Sequence, residues 1–295
     1  MSKIIFEGAA TALITPFRDG AVDTEAFERI IETQIAEGID ALVVCGTTGE
    51  SATLTNEEKR RLIECCVKMT AGRVPVIAGT GSNDTAATVS LTRFAKEAGA
   101  DGVLLVTPYY NKPGEEGLYR HFMRVAEAVD IPIVLYNVPS RTGVNLSVEL
   151  ILRLAEHENI VGLKEAGDSL YAAAVTAALG GKDFSLYAGN DNVTVPMIAL
   201  GGKGVISVAS NLIPQRMHEM CRAALDGDIR GAAEEQMKLL PLMKALFCET
   251  NPIPVKTAMA MCGYCKEEFR LPLCEMRAEK REELRGTLAV FGLIK

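Results

Sequence analysis

The chain predicts a closed parallel (β/α)8 TIM barrel carrying a C-terminal helical extension. Three observations carry that prediction. Eight short apolar runs recur, most at a spacing of roughly 25 to 33 residues, room for one strand, one helix and two loops. The segments between the runs have helical periodicity. No Gly-x-Gly-x-x-Gly turn follows the first run, which argues against the competing open, doubly wound sheet.

The first run, Ala12–Ile14, ends at Thr15-Pro16. Asp23 then offers an N-cap to a helix with Phe27, Ile30, Ile31 and Ile35 on one face, and Gly38 is placed to end it. The second run, Ala41–Cys45, leads into Gly46-Thr47-Thr48-Gly49-Glu50, and Thr55-Asn-Glu-Glu58 reads as a capping box ahead of Leu62, Cys65, Cys66 and Met69. Val74–Ala78 and Gly102–Val106 follow, the latter leading into Thr107-Pro108-Tyr109-Tyr110. Ile131–Tyr136 precedes Asn137-Val138-Pro139, and Ser147 stands before Leu150, Ile151 and Leu154 as a further cap. Ile160–Lys164, Phe184–Ala188 and Gly204–Val208 complete the eight. Gly201-Gly-Lys-Gly204 resembles a phosphate loop but precedes the eighth strand, which puts it on the opposite barrel face as a tight turn. Residues 1–211 are expected to form the barrel. Residues 212–295 hold helical segments and no strand candidate, and are expected to pack on it, ending in the mixed-charge face around Ala278–Arg285.

The 295 residues are 48% hydrophobic and 23% charged, which supplies an ample core. A net charge of −7 provides no basic field for nucleic acid or an anionic membrane. The amino terminus lacks the apolar stretch of a signal peptide, and no run approaches the ~20 apolar residues of a membrane span. A cytoplasmic protein is expected. Of the eight cysteines, only Cys262-Gly-Tyr-Cys265 has C-x-x-C spacing, without a second pair or a nearby histidine to complete a metal site. Reduced thiols and no metal are expected.

Lys164 is the most informative residue. It ends an apolar strand pattern, and alternation puts it on one face with Gly162 and Ile160, while Val161 and Leu163 point the other way. If that face lines the barrel interior, burial lowers the lysine pKa and yields the neutral amine that Schiff-base chemistry requires. A lysine snorkelling to solvent from a strand end is the competing reading. The company it keeps decides between them, because chemistry in such barrels sits at the carboxyl ends of the strands. There Tyr136 can carry a proton, Thr47 and Thr48 supply hydroxyl and amide donors, and Arg141 offers a planar fork for a carboxylate.

Gly46-Thr-Thr-Gly-Glu50, Tyr136-Asn-Val-Pro-Ser-Arg-Thr-Gly143, Gly162-Leu-Lys-Glu165 and Asn251-Pro-Ile-Pro-Val-Lys256 resemble motifs of the pyruvate-dependent lyase and synthase superfamily. Within it they look most like the dihydrodipicolinate synthases, over nearly the whole chain. The resemblance implies condensation of pyruvate with aspartate 4-semialdehyde through an imine on Lys164, with no metal or organic cofactor. It implies a proton relay of Tyr136, Thr47 and Tyr110, the tyrosine reaching in from the partner subunit of a tight dimer. It further implies that Thr48 holds the pyruvate carboxylate, Arg141 the semialdehyde carboxylate, and Gly189 and Ile206 the pyruvate pocket. A homotetramer of two tight dimers is expected. N-acetylneuraminate lyases usually carry serine at the position of Thr47 and lack the Ser140-Arg141 pair, and sugar-acid aldolases differ around Tyr109-Tyr110. A pyruvate-responsive regulator on the same barrel is the non-enzymatic alternative; every catalytic position is filled, which disfavours it.

Many synthases of this kind are inhibited by lysine at a cleft between subunits, and the matching positions here are Ser51, Ala52, Asn56, Lys59, Asn83, Ala87 and Tyr109. Asn56 and Lys59 stand where sensitive members carry histidines, and Ala87 where they carry the glutamate that would pair with the effector's ammonium. Weak or absent feedback by lysine is expected.

Overall fold

The computed structural model describes residues 4–167, 169–179 and 183–295. Eight strands close into a barrel: β1 (Gly8–Ala12), β2 (Ala41–Val44), β3 (Val76–Gly79), β4 (Gly102–Val106), β5 (Ile133–Asn137), β6 (Ile160–Glu165), β7 (Ser185–Ala188) and β8 (Gly204–Ser207). Each pairs in parallel with its neighbour in the chain, and β8 returns to β1. Full closure leaves no strand edge exposed.

Strands two to eight lie on the expected runs. The first does not: β1 is Gly8–Ala12 and ends where the expected strand begins. Its small residues gave no apolar signal, while Leu13 and Ile14 continue beyond it, buried against the helices. A two-stranded hairpin, Phe17–Arg18 with Ala21–Val22, follows and carries no alternation long enough to announce itself.

Side chains divide by the strand period of two. Ala10, Ala12, Ala41, Val43, Ile77, Leu104, Val134 and Ile206 fill the interior with Tyr136 and Tyr187. The other face packs under the helices. Ile160 belongs to this outer cluster with Leu163, against the expectation that it shares the Lys164 face. The cause is a register shift: Ile133 pairs with Ile160, but Val134 pairs with Gly162. The irregularity at Val161 resets the alternation, which separates Ile160 from the face of Lys164. At the amino-terminal end the Phe6 ring stacks on Tyr187, centroids 4.3 Å apart, and the Tyr187 hydroxyl donates to the Phe6 carbonyl at 2.8 Å.

Three helices begin where their caps predict. Asp23 accepts from Ala26 N ahead of α1 (Thr24–Ala36), the Thr55/Glu58 box opens α2 (Asn56–Thr70), and Ser147 accepts from Leu150 N at a later helix, Val148–Ala155; Asp84, not singled out in the sequence, caps α3 (Thr85–Glu97). After β8, the helix Pro214–Leu225 packs on β1, followed by Ile229–Ala245, Ile253–Met261 and Ala278–Val290. The contacts that staple this last part to the loops above the barrel include two ion pairs. Lys256 Nζ meets Glu50 Oε1 at 2.6 Å with both side chains wholly buried, and the ammonium lies 3.8 Å from the Phe17 ring centroid. Arg270 forks onto Glu58 at 2.6 and 2.8 Å and also donates to the carbonyls of Thr53 and Gly20.

Candidate active site

A cavity of about 180 Å³ opens at the carboxyl ends of the strands. Lys164 from β6 and Tyr136 from β5 are in register on adjacent strands. The Lys164 ammonium sits 4.5 Å from the centroid of the Tyr136 ring. Thr47, Thr48, Arg141 and Gly189 line the same cavity, with Asn190, Phe247 and Asn251.

The glycines are there for space. A Cβ on Gly162 would come within 2.6 Å of the Ser185 carbonyl oxygen, and one on Gly189 within 2.8 Å of the Glu165 carbonyl oxygen. Strands β6 and β7 can therefore approach closely enough to aim Lys164 into the cavity.

Lys164 is 6% exposed. Burial brings its pKa down to about 8, assisted by the positive charge of Arg141 and opposed by the Asp191 carboxylate. Asp191 is buried too, its Oδ2 accepting from the amides of Val208 (3.1 Å) and Ala209 (3.0 Å), and burial raises its own pKa. Burial pushes the Tyr136 hydroxyl up, while Arg141 and hydrogen bonding from Thr47 draw it back. Beneath them Asn137 Nδ2 donates to both Glu165 oxygens, at 3.1 and 3.0 Å, clamping the ends of β5 and β6. Such a site offers an amine more readily neutral than an exposed lysine, a proton carrier beside it, and a hydroxyl and guanidinium for carboxylates.

Two expected residues stand apart from the cavity. Ile206 faces the barrel interior in the cluster below, and Val208 lines the cavity from that strand's end. Tyr110 is 88% exposed at positive φ, held away from the site of its own chain. A second pocket of about 300 Å³ adjoins the first through Thr47, Arg141 and Asn251. Of the effector positions, Ser51, Ala52, Lys59 and Tyr109 line it; Asn56, Asn83 and Ala87 do not.

Sequence reasoning assigned no role to Asp191, Glu165 or Asn251. Their motifs were visible, but their partners lie on other elements; Asn251 meets Thr48 across 203 residues. No local periodicity encodes such a pairing.

The fold and site together define a barrel lyase, one desolvated lysine set among tyrosine, threonine and arginine. The Dihydrodipicolinate synthetase family model matches residues 5–290, and the chain belongs to that family. The 4-hydroxy-tetrahydrodipicolinate synthase of Aquifex aeolicus is 53% identical over 98% of this chain and 99% of its own. The crystal structure of the Aquifex aeolicus dihydrodipicolinate synthase superposes with a TM-score of 0.97 at 53% identity, covering 98% of this chain and 99% of that one. The enzyme of the same name from Thermoanaerobacter sp. is 49% identical over 99% of this chain and 98% of its own. The dihydrodipicolinate synthase of Cyanidioschyzon merolae, solved with lysine bound, is 40% identical with a TM-score of 0.96, covering 98% of this chain and 99% of that one.

Proposed function

We propose that this enzyme condenses pyruvate with L-aspartate 4-semialdehyde to give 4-hydroxy-tetrahydrodipicolinate, on the route to diaminopimelate and lysine. The buried, pKa-lowered Lys164 facing Tyr136 carries the reading. Lys164 Nζ attacks the pyruvate ketone, and the carbinolamine loses water to an imine. Loss of a methyl proton gives the enamine, whose carbon attacks the aldehyde. The amine of the second substrate then displaces Lys164 and closes the ring. Tyr136 shuttles the protons, supported by Thr47 and by Tyr110 of a second copy. Thr48 holds the pyruvate carboxylate and Arg141 that of the semialdehyde; Gly189 leaves room for the ketone, and Ile206 floors the pocket.

The outward projection of Tyr110 supports a tight dimer, which we extend to a tetramer of two such dimers in the cytoplasm. Among the described residues no helix is long and apolar enough to cross a membrane, and all eight cysteines are free thiols. Borohydride reduction with pyruvate, followed by peptide mapping, tests the chemistry. The expected result is a pyruvyl adduct on Lys164 that Lys164→Ala abolishes; native protein without adduct would sink the mechanism.

Lysine feedback is weak or absent. Lys59 lines the second pocket, and the Glu50 carboxylate in its wall is already taken by Lys256. An effector ammonium there meets a like charge. Clear inhibition by submillimolar lysine with both substrates present would contradict this.

A further inference from the structure

We infer that Asn251, from the helical extension, is a positioning residue that presets Thr48 and Arg141 for carboxylates. The inference rests on the carboxylate roles proposed for those two residues. Asn251 Nδ2 donates to Thr48 Oγ1 at 3.1 Å, and the Asn251 carbonyl accepts from an Arg141 Nη at 2.8 Å. Asn251 is 7% exposed and lines both the lysine cavity and the pocket beside it.

The polarity of the first bond matters. A threonine hydroxyl has one proton to give. Because Thr48 accepts from Asn251, that proton stays available to the cavity, where a carboxylate needs a donor. The second bond fixes one nitrogen of an otherwise exposed guanidinium and so orients its fork. Asn251 is itself held from outside the barrel. The Ile253 amide donates to Thr250 O at 2.9 Å and the Lys256 amide to Pro252 O at 3.0 Å, and the Lys256 side chain ends in the buried pair with Glu50. The extension thereby governs carboxylate recognition inside a barrel it does not form.

Asn251→Asp separates positioning from mere packing. It keeps shape and volume but replaces the donor facing Thr48 with a charged acceptor, which draws the Thr48 proton away from the substrate; Asn251→Ala, which adds no charge, removes the donor alone. The measurement is the pyruvate concentration giving half-maximal borohydride-trapped adduct, taken with KM, kcat and melting temperature, for Asn251→Asp, Asn251→Ala and Thr48→Val. Losing one such hydrogen bond should raise the half-saturating concentration about fivefold in Asn251→Ala, and reversing it more than about tenfold in Asn251→Asp. Full adduct should still form at high pyruvate. If Asn251→Ala fails to fold, the Asp variant decides alone. An Asp variant within twofold of the parent overturns the inference. A Thr48→Val variant with parental half-saturation instead removes the carboxylate role of Thr48, a separate failure.

Discussion

At pH 7 an amine with the ordinary lysine pKa is neutral in about three molecules in ten thousand, while one held at about 8 is neutral in roughly one in ten. On the chemistry proposed for it, burial of Lys164 raises the share of amine ready to attack about three-hundredfold. Only the neutral amine attacks, so the rate of imine formation at low pyruvate should rise about tenfold per pH unit up to about 8 and level off above it. Asp191 opposes the burial by stabilising the ammonium. Asp191→Asn should move the midpoint of that profile to lower pH, as followed by rapid-quench trapping. A midpoint that stays or rises would show that the carboxylate does not act on Lys164.

At the scale of the element, β6 is the part on which the site depends most. Its backbone runs so close to β7 that a methyl group at position 162 meets the Ser185 carbonyl. Gly162→Ala should cost about 1–3 kcal/mol by overpacking, read as a lower melting temperature, and reduce adduct formation because Lys164 lies two residues on. The strand itself was legible from its apolar run, as were the caps at Asp23, Thr55 and Ser147. The irregularity at Val161 was not. It arises from pairing with β5, a tertiary fact, and strict alternation put Ile160 on the wrong side. β1 was displaced for a related reason: Gly8 to Ala12 is all small residues, chosen for close approach inside the barrel, so hydrophobicity pointed to Leu13 and Ile14 instead. Lys164, Tyr136, Thr47, Thr48 and Arg141 could be read from motifs at strand ends. The contacts of Asn251 and Lys256 depend on how distant segments dock, and residue type alone does not reveal them.

For the whole molecule, the helices after β8 share one hydrophobic core with the barrel and are tied to it by buried polar contacts, among them the Lys256–Glu50 pair. Removing one member of a buried ion pair leaves the other desolvated. Lys256→Met should cost about 3–5 kcal/mol of stability, with Glu50→Gln/Lys256→Met recovering much of it; melting curves of the parent, both single variants and the double variant measure the coupling. A double variant no more stable than Lys256→Met would locate the cost in lost packing around Phe17 instead.

The stacked rings of Phe6 and Tyr187 fill the amino-terminal end of the barrel, opposite the cavity that holds Lys164. That cavity, of about 180 Å³, leaves little room for two guests at once, so the order in which they arrive matters. A bulkier guest arriving early would crowd out the smaller one, and an excess of either should slow both.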